Sequence, residues 1–460
     1  MARILGRSKA DSSVFVGGAF VAFLLILGIW YYVYPDPTPT VTSLITKNPL
    51  KTVYGSTSEA EDCADSYPLA QSITLRVEHC PDNNVSAQGF NMREESTAQT
   101  FYDDPDVTYT IEKPMKNWDE KRVEWINHHP SFATGVEKRI LVVSGSQNTP
   151  CKNQIGDHIL LRFFKNKVDY CRIHGYDIFY NNVLLHPKMP TFWAKIPLVR
   201  AAMIAHPEVE WIWWIDSDAA FTDMDFKLPL DKYKDYNLIV HGWSHLIYEE
   251  KSWVGLNAGI FLIRNCQWSM DFMDVWASMG PQTPDFDKWG EILRSTFKTK
   301  VEPESDDQSG LVYLLLKEKK TWGKKIFLES EYYFEGYWVE IVGRLDSIND
   351  KYVDIEKQNR KLGRRHAEKV SEYYAELRGP YLKESGYAKD SWKRPFITHF
   401  AGCQPCSGNH NQMYSGESCW DGMQKVLNFA DNQVLQKFGF VHKNLQDSAS
   451  VLPIPFVSTS

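Results

Sequence analysis

Two aspartates one residue apart, Asp216 and Asp218, close a run of bulky apolar side chains, Trp211-Ile212-Trp213-Trp214-Ile215. Consecutive rather than alternating apolar residues predict a strand buried on both faces, from Glu210 to Ile215. Side chains alternate along an extended chain, so Asp216 and Asp218 are expected on one side with Ser217 opposite. A carboxylate pair there suits a hard divalent cation and, through it, phosphate oxygens. In open α/β sheets, ligands bind just beyond the carboxyl ends of the strands. The Asp-x-Asp pattern recurs at Asp104/Asp106, Asp223/Asp225 and Asp285/Asp287, but only the Asp216 copy follows a buried strand.

The elements that must position this pair read from periodicity. Arg139 to Ser146 predicts a buried strand running into a glycine turn, where Gly145 permits close backbone approach. Gly156 to His174 has helical spacing, Tyr176 to Tyr180 predicts a second strand, and Trp193 to Ala205 another helix. This βαβα order predicts an α/β fold with a mostly parallel sheet and a nucleotide at its edge. Asp306-Asp307-Gln308 precedes the apolar Leu311–Leu315 helix, where carboxylates serve by default as caps. About Asn349 to Ser385 reads as a charged helical insertion, with Arg360, Lys361, Arg364 and Arg365 among many glutamates, most simply a solvated helix.

The amino terminus bears on location. Val14–Tyr34 carries no charge, follows Arg3, Arg7 and Lys9, and ends among Trp30, Tyr31, Tyr32 and Tyr34. At about 1.5 Å per residue it spans a hydrocarbon core of roughly 30 Å. It is longer than the apolar core of a cleaved signal and lacks a small-residue cleavage site, so a signal-anchor is expected. Residues 1–13 would then be a cytosolic tail and everything beyond Pro35 lumenal. Residues 35–112, rich in Thr, Ser, Pro and acids, read as a stem, with Asn84 as a glycosylation acceptor and Cys63 and Cys80 able to close a loop. A net charge of -7 without a large basic cluster excludes a nucleic-acid partner. Eight cysteines in 460 residues fit an oxidising compartment. Cys403-x-x-Cys406 with His410 and Cys419 superficially suggests zinc, but the spacing and setting favour disulfides.

Several segments then occur in a particular order: Phe192-Trp193-Ala194-Lys195, Trp213 to Ala219, Phe221-Thr222-Asp223-Met224, His241-Gly242-Trp243, Gly255 to Gly259, Ser305-Asp306-Asp307-Gln308 and Thr398-His399-Phe400. Together they resemble the plant cell-wall α-glycosyltransferases that include xyloglucan 6-xylosyltransferases and galactomannan galactosyltransferases. The resemblance covers about Lys113 to Leu445. Pro114 to Arg122 and the Phe101–Pro105 approach resemble the galactomannan branch more. It implies a GT-A domain, Rossmann-like with a mostly parallel sheet, over 113–445, followed by a tail at 446–460. It further implies a retaining, metal-dependent enzyme of the Golgi membrane that uses a UDP-sugar donor.

Residue roles follow from the resemblance. Asp216, Asp218 and His399 would ligate the cation, for which an imidazole among oxygen ligands favours Mn²⁺. Gly145, Ser146, Lys195, Ser217, Asn257 and Gln404 would face the donor, although Lys195 could equally be a solvated helix lysine. Asp306, Asp307 and Gln308 would sit beside the anomeric carbon. Where the xylosyltransferases carry a lysine in Gly-Cys-Lys-Pro-Cys, this chain has Gln404, which offers the diphosphate only a neutral hydrogen bond. If Cys403 or Cys406 pairs with Cys419, the bridge would rigidify the loop carrying His399. The expected reaction is α-galactosyl transfer from UDP-galactose to a β-mannan, with UDP-xylose and a β-glucan as the alternative. An inert scaffold in a polysaccharide synthase complex and a two-carboxylate glycoside hydrolase are the rivals from other classes. Expected partners are the polysaccharide, the Golgi membrane, and further copies of the chain or polysaccharide synthases.

Overall fold

A computed structural model describes residues 99–135, 138–359, 362, 366–386 and 393–455. The expected anchor at 14–34, most of the stem, Cys63, Cys80, Asn84, Arg360, Lys361, Arg364 and Arg365 lie outside the described residues. Among the described residues no helix is long and apolar enough to cross a membrane.

Runs of apolar residues build the sheet. Its strands are β1 (Ile140–Gly145), β2 (Asp177–Asn181), β3 (Trp211–Ile215), β5 (Leu238–Gly242), β6 (Leu256–Arg264) and β7 (Ile326–Glu329), in the order β2-β1-β3-β6-β5-β7. Between β3 and β5, the short β4 (Ala219–Phe221) leaves this sheet and pairs antiparallel with β8 (Ile397–His399). β6 runs against both its neighbours, while β2, β1 and β3 are mutually parallel and β5 is parallel to β7. The sheet is therefore mixed and mostly parallel, as the βαβα order predicts.

The described helices of eight or more residues are α1 (Trp118–His128), α2 (Gly156–His174), α3 (Lys195–Ala205), α4 (Gln267–Ala277), α5 (Phe286–Thr296), α6 (Asp307–Lys317), α7 (Leu345–Gln358), α8 (Glu368–Glu384) and α9 (Gly416–Leu435). Every residue of β3 is buried because the pleat sends its side chains alternately into two cores. Ile212 and Trp214 join a cluster with Ile196, Val199, Phe272 and Leu311, while Trp211, Trp213 and Ile215 join Tyr170, Phe221, Phe334 and Phe396. A third cluster beneath β4 and β8 includes Phe163, Trp338, Phe400 and Met423.

Folded contacts begin before the stem boundary expected at residue 112. Phe101 is buried edge-on against Trp118, and the Tyr102 hydroxyl donates to the Ile204 carbonyl at 2.7 Å. Two aromatic anchors in otherwise polar sequence escape a reading based on periodicity. The insertion is likewise more than a solvated helix. Arg378 of α8 meets Asp225 at 3.1 Å and Glu356 of α7 at 2.8 Å, and Arg394 meets Asp225 at 3.2 Å. These arginines occupy the Asp225 carboxylate, so this copy of the Asp-x-Asp pattern anchors the insertion.

Candidate active site

At the end of β3 the backbone N–H of Asp216 donates to the Gly259 carbonyl at 2.9 Å, and the Ala219 N–H turns back to the Asp216 carbonyl at 3.2 Å. A tight turn, rather than strand alternation, thus brings the two carboxylates together. The chain leaves this turn as β4, where Ala219 lies opposite His399 in the register with β8. That pairing delivers a distant imidazole to the turn: His399 Nε2 lies 3.4 Å from Asp218 Oδ1 and 3.8 Å from Asp216 Oδ2. The potential ligand atoms of the three residues all fall within 4.8 Å of one another.

The surroundings fit a cation. Buried Glu335 accepts from His399 Nδ1 at 3.0 Å, which leaves Nε2 directed at the aspartates. Burial opposes a charge on His399, but Asp218 and then Glu335 outweigh it and push the imidazole up to about 10. Three carboxylates around one ring therefore create a strongly cation-attracting spot. Gly259 keeps it open, because a Cβ there would lie 2.5 Å from His399 Cε1 and 2.6 Å from Asp216 Oδ2. The pairing of β5 with β6 shifts register between Val240 and Gly242, next to the Asn257–Gly259 stretch, as bulges beside active sites commonly do. Asn257 stabilises that irregularity by accepting from the Gly259 N–H at 2.7 Å.

Lys195 is no solvated lysine. It is buried at the start of α3, with Nζ 2.8 Å from Asp307 Oδ2, 3.5 Å from Asp216 Oδ1 and 3.0 Å from the Ala258 carbonyl. It therefore couples the cation turn to the start of α6. The Trp214 indole N–H donates to the same Asp216 Oδ1 at 2.6 Å, so the second Asp216 oxygen is the one nearest His399. Burial pushes Asp307 up to about 6, against the pull of Lys195. Gln308 accepts from the Ala258 N–H at 3.2 Å and donates to the Trp253 carbonyl at 3.3 Å. Asp306 is the cap of α6: it accepts from the Ser309 N–H and hydroxyl, each at 2.7 Å, and pairs with buried Lys300 at 2.5 Å.

The remaining candidates are more scattered. Gly145 makes a close approach, but to the neighbouring strand, since a Cβ there would lie 2.5 Å from the Asn181 carbonyl oxygen. Ser146 lines a cavity of about 450 Å³ together with Gln147, Asn148, Asp157, Phe164 and Tyr180. Burial raises the Tyr180 hydroxyl, a hydrogen bond with Ser146 pulls it back, and the Asp218 charge adds to the rise. Ser217 offers its carbonyl inward, to a lysine of α2. Exposed Gln404 accepts from the Ser407 hydroxyl at 2.8 Å within its own loop. That loop is bridged twice, by Cys403–Cys419 and by Cys151–Cys406, which ties it to the segment following β1. The zinc reading of Cys403-x-x-Cys406 falls with these disulfides.

Sequence reasoning missed Glu335 and Lys167. Glu335 lies in irregular chain with no periodic signal. Lys167 carried one: it is a charged residue on the apolar face of α2, among Leu160, Phe163, Tyr170 and Cys171.

A cation-ready turn thus lies beside a buried lysine–carboxylate pair at the carboxyl end of β3, an interior strand of a mixed α/β sheet, where enzymes of this architecture bind their ligands. The chain belongs to the galactosyl transferase GMA12/MNN10 family, whose model matches residues 136–410. It is 53% identical over 464 residues to galactomannan galactosyltransferase 1 of Cyamopsis tetragonoloba, covering 99% of each chain. It is 59% identical over 386 residues to putative glycosyltransferase 7 of Arabidopsis thaliana, covering 84% of this chain and 86% of the relative. Probable xyloglucan 6-xylosyltransferase 1 of Oryza sativa subsp. indica is 44% identical over 343 residues, covering 74% and 69%. The chain is thus a glycosyltransferase.

Proposed function

We propose that this enzyme is a retaining α-galactosyltransferase that moves galactose from UDP-galactose to the backbone of a β-mannan. The observation that carries the reading is the convergence of Asp216, Asp218 and His399 beside the Lys195–Asp307 pair, in a chain alike end to end with a galactomannan galactosyltransferase. Asp216, Asp218 and His399 would hold a divalent cation, whose chemistry is to neutralise charge growing on the departing diphosphate, and the mixed oxygen and nitrogen donors suit Mn²⁺.

The chain's own residues do the rest. Glu335 holds the His399 tautomer, and Trp214 and Lys195 orient Asp216. The Ser146 cavity receives the nucleoside end of the donor. Asp307, screened from water, lends negative charge where positive charge develops at the anomeric carbon. Its ion pair with Lys195 makes it a poor nucleophile, which favours attack by the acceptor hydroxyl on the face that UDP leaves. The bond from the anomeric carbon to the diphosphate breaks as the bond to the acceptor oxygen forms, and the departing phosphate oxygen takes the hydroxyl proton. The uncharged Val14–Tyr34 segment and the two disulfides support an anchored, lumenal enzyme of the Golgi.

Purified protein assayed with UDP-galactose and UDP-xylose on manno- and cello-oligosaccharides tests this reading. A galactose pocket still admits the smaller xylose, so kcat/KM is expected to be higher for UDP-galactose on mannan, with weak xylosyl transfer. The reverse preference would move the chain to the xylosyltransferase reading. Asp218→Ala is expected to abolish transfer with thermal unfolding nearly unchanged. Full activity in EDTA would refute the cation assignment.

A further inference from the structure

Lys167 stands on the face of α2 that packs against β4, and it is fully buried. Its companions on that face are Ile159, Leu160, Phe163, Tyr170 and Cys171, as expected of a helix covering a core. A lysine here carries a desolvation cost that a methionine of similar length would not. Among the described residues no carboxylate forms an ion pair with its Nζ; burial disfavours its charge, and the Asp218 and Asp216 charges act against that cost only from a distance. Instead Nζ donates to the Ala219 carbonyl at 2.7 Å and to the Ser217 carbonyl at 3.3 Å. These are the carbonyls on either side of Asp218. The preceding residue grips the other end of β4: Asn166 accepts from the Phe221 N–H at 2.7 Å and donates to the Phe221 carbonyl at 2.9 Å.

We infer that Lys167 is a positioning residue for the cation turn, holding the peptide plane that leads into Asp218 and the plane that leaves Ala219 and, through β4, the register that presents His399. The inference rests on reading Asp216, Asp218 and His399 as cation ligands. β3 and Gly259 fix where the turn begins, but nothing in the main sheet fixes where it ends, because β4 leaves that sheet; the Asp218 carbonyl accepts from the Phe400 N–H at 3.1 Å, which leaves the Ser217 and Ala219 carbonyls to be held from elsewhere. Lys167 and Asn166 supply the missing constraint from the helix below. An apolar residue at 167 would leave the Ser217 and Ala219 carbonyls without this donor, and their peptide planes could rotate. Carboxylates that now converge with His399 Nε2 would then spread apart, although the hydrophobic packing of α2 would survive.

Mn²⁺ binding to the metal-free full-length protein, followed by the electron paramagnetic resonance signal of free Mn²⁺, tests this without substrate. Residues that orient metal ligands typically govern affinity by tenfold or more, so Lys167→Met should weaken Mn²⁺ binding by about tenfold or more. Its far-ultraviolet circular dichroism should match wild type, and the Mn²⁺ concentration for half-maximal transfer should rise with kcat at saturating Mn²⁺ largely recovered. A lysine of merely structural importance would lower the melting temperature and leave the Mn²⁺ affinity of the folded protein alone; unchanged affinity in Lys167→Met overturns the inference. Should that variant not fold, Lys167→Gln carries the test, since its shorter side chain can serve only one carbonyl. Weakened binding is expected there too, and wild-type affinity overturns the inference equally. Failure of the wild-type protein to bind Mn²⁺, or undiminished binding by Asp218→Ala, would instead bring down the cation reading beneath it.

Discussion

Adjacent aspartates at the start of α6 have separate fates. Both Asp306 oxygens are taken by Ser309 and Lys300, whereas Asp307 reaches Lys195 and, through it, the cation turn. Asp306→Asn is accordingly expected to lower the melting temperature, because buried Lys300 loses its counter-charge, and to keep kcat within about tenfold. Asp307→Asn should keep the fold and lower kcat by roughly 10²–10³, the scale of removing one preorganised charge from a transition state. Equal kcat losses in the two variants would refute this division. Asp307 also sets a pH dependence. Its folded value of about 6 lies above the free carboxyl at 3.8. The stability it contributes is therefore fully present below 3.8 and lost as pH rises through about 6. Under the proposed mechanism transfer has the opposite sign, because the ionised carboxylate would be the working form. The pH–rate profile should fall on the acid side of about 6, and Asp307→Asn should abolish the matching decline in melting temperature between pH 4 and 6.

At the scale of elements, legibility followed the range of the interaction. β1, α2, β2, α3 and β3 each lie within a residue or two of the segments expected, because periodic burial is written locally. The β4–β8 pairing is not legible in that way. Three-residue strands carry almost no periodic signal, and the register that sets Ala219 against His399 joins chain far apart in sequence. Here the motif resemblance grouped His399 with Asp216 and Asp218, while only the fold shows how a histidine so distant in sequence comes to lie beside them. Glu335 and the Cys151–Cys406 bridge were hidden for the same reason. The second bridge, Cys403–Cys419, closes a loop of sequence separation 16 just beyond β8. Replacing both cysteines by serine should cost about 3 kcal/mol in denaturant unfolding by the loop-entropy estimate. If the bridge steadies the strand end carrying His399, the Mn²⁺ concentration for half-maximal transfer should also rise. An unchanged Mn²⁺ requirement would show that β8 is held by its pairing with β4 and by Glu335 alone.

Across the whole molecule, two neighbouring acid pairs divide the labour. Asp216 and Asp218 face Lys195 and His399, while Asp223 and Asp225, one short strand further on, face Arg378 and Arg394. Burial raises the cost of a charge on Asp225, yet Arg378 and Arg394 together hold its carboxyl below the usual range. The insertion is thus latched to the main body by ionic contacts at the far end of the same β4 that leaves the cation turn. Arg378→Met tests how independent the two ends are. Losing charged hydrogen bonds to Asp225 and Glu356 should cost about 2–3 kcal/mol. The cost should fall locally, because the buried clusters on β3 are untouched. Hydrogen exchange should therefore quicken across Glu368–Glu384 and the adjoining end of α7, while β3 and α2 keep wild-type protection. Hydrolysis of UDP-galactose without acceptor should stay near the wild-type rate, since no donor-facing residue lies on α8. If the insertion borders the acceptor groove, KM for long manno-oligosaccharides should rise as the latch opens, with KM for UDP-galactose constant. Faster exchange at the cation turn itself, or a parallel loss of donor hydrolysis, would show instead that the latch and the catalytic turn form one cooperative unit through β4.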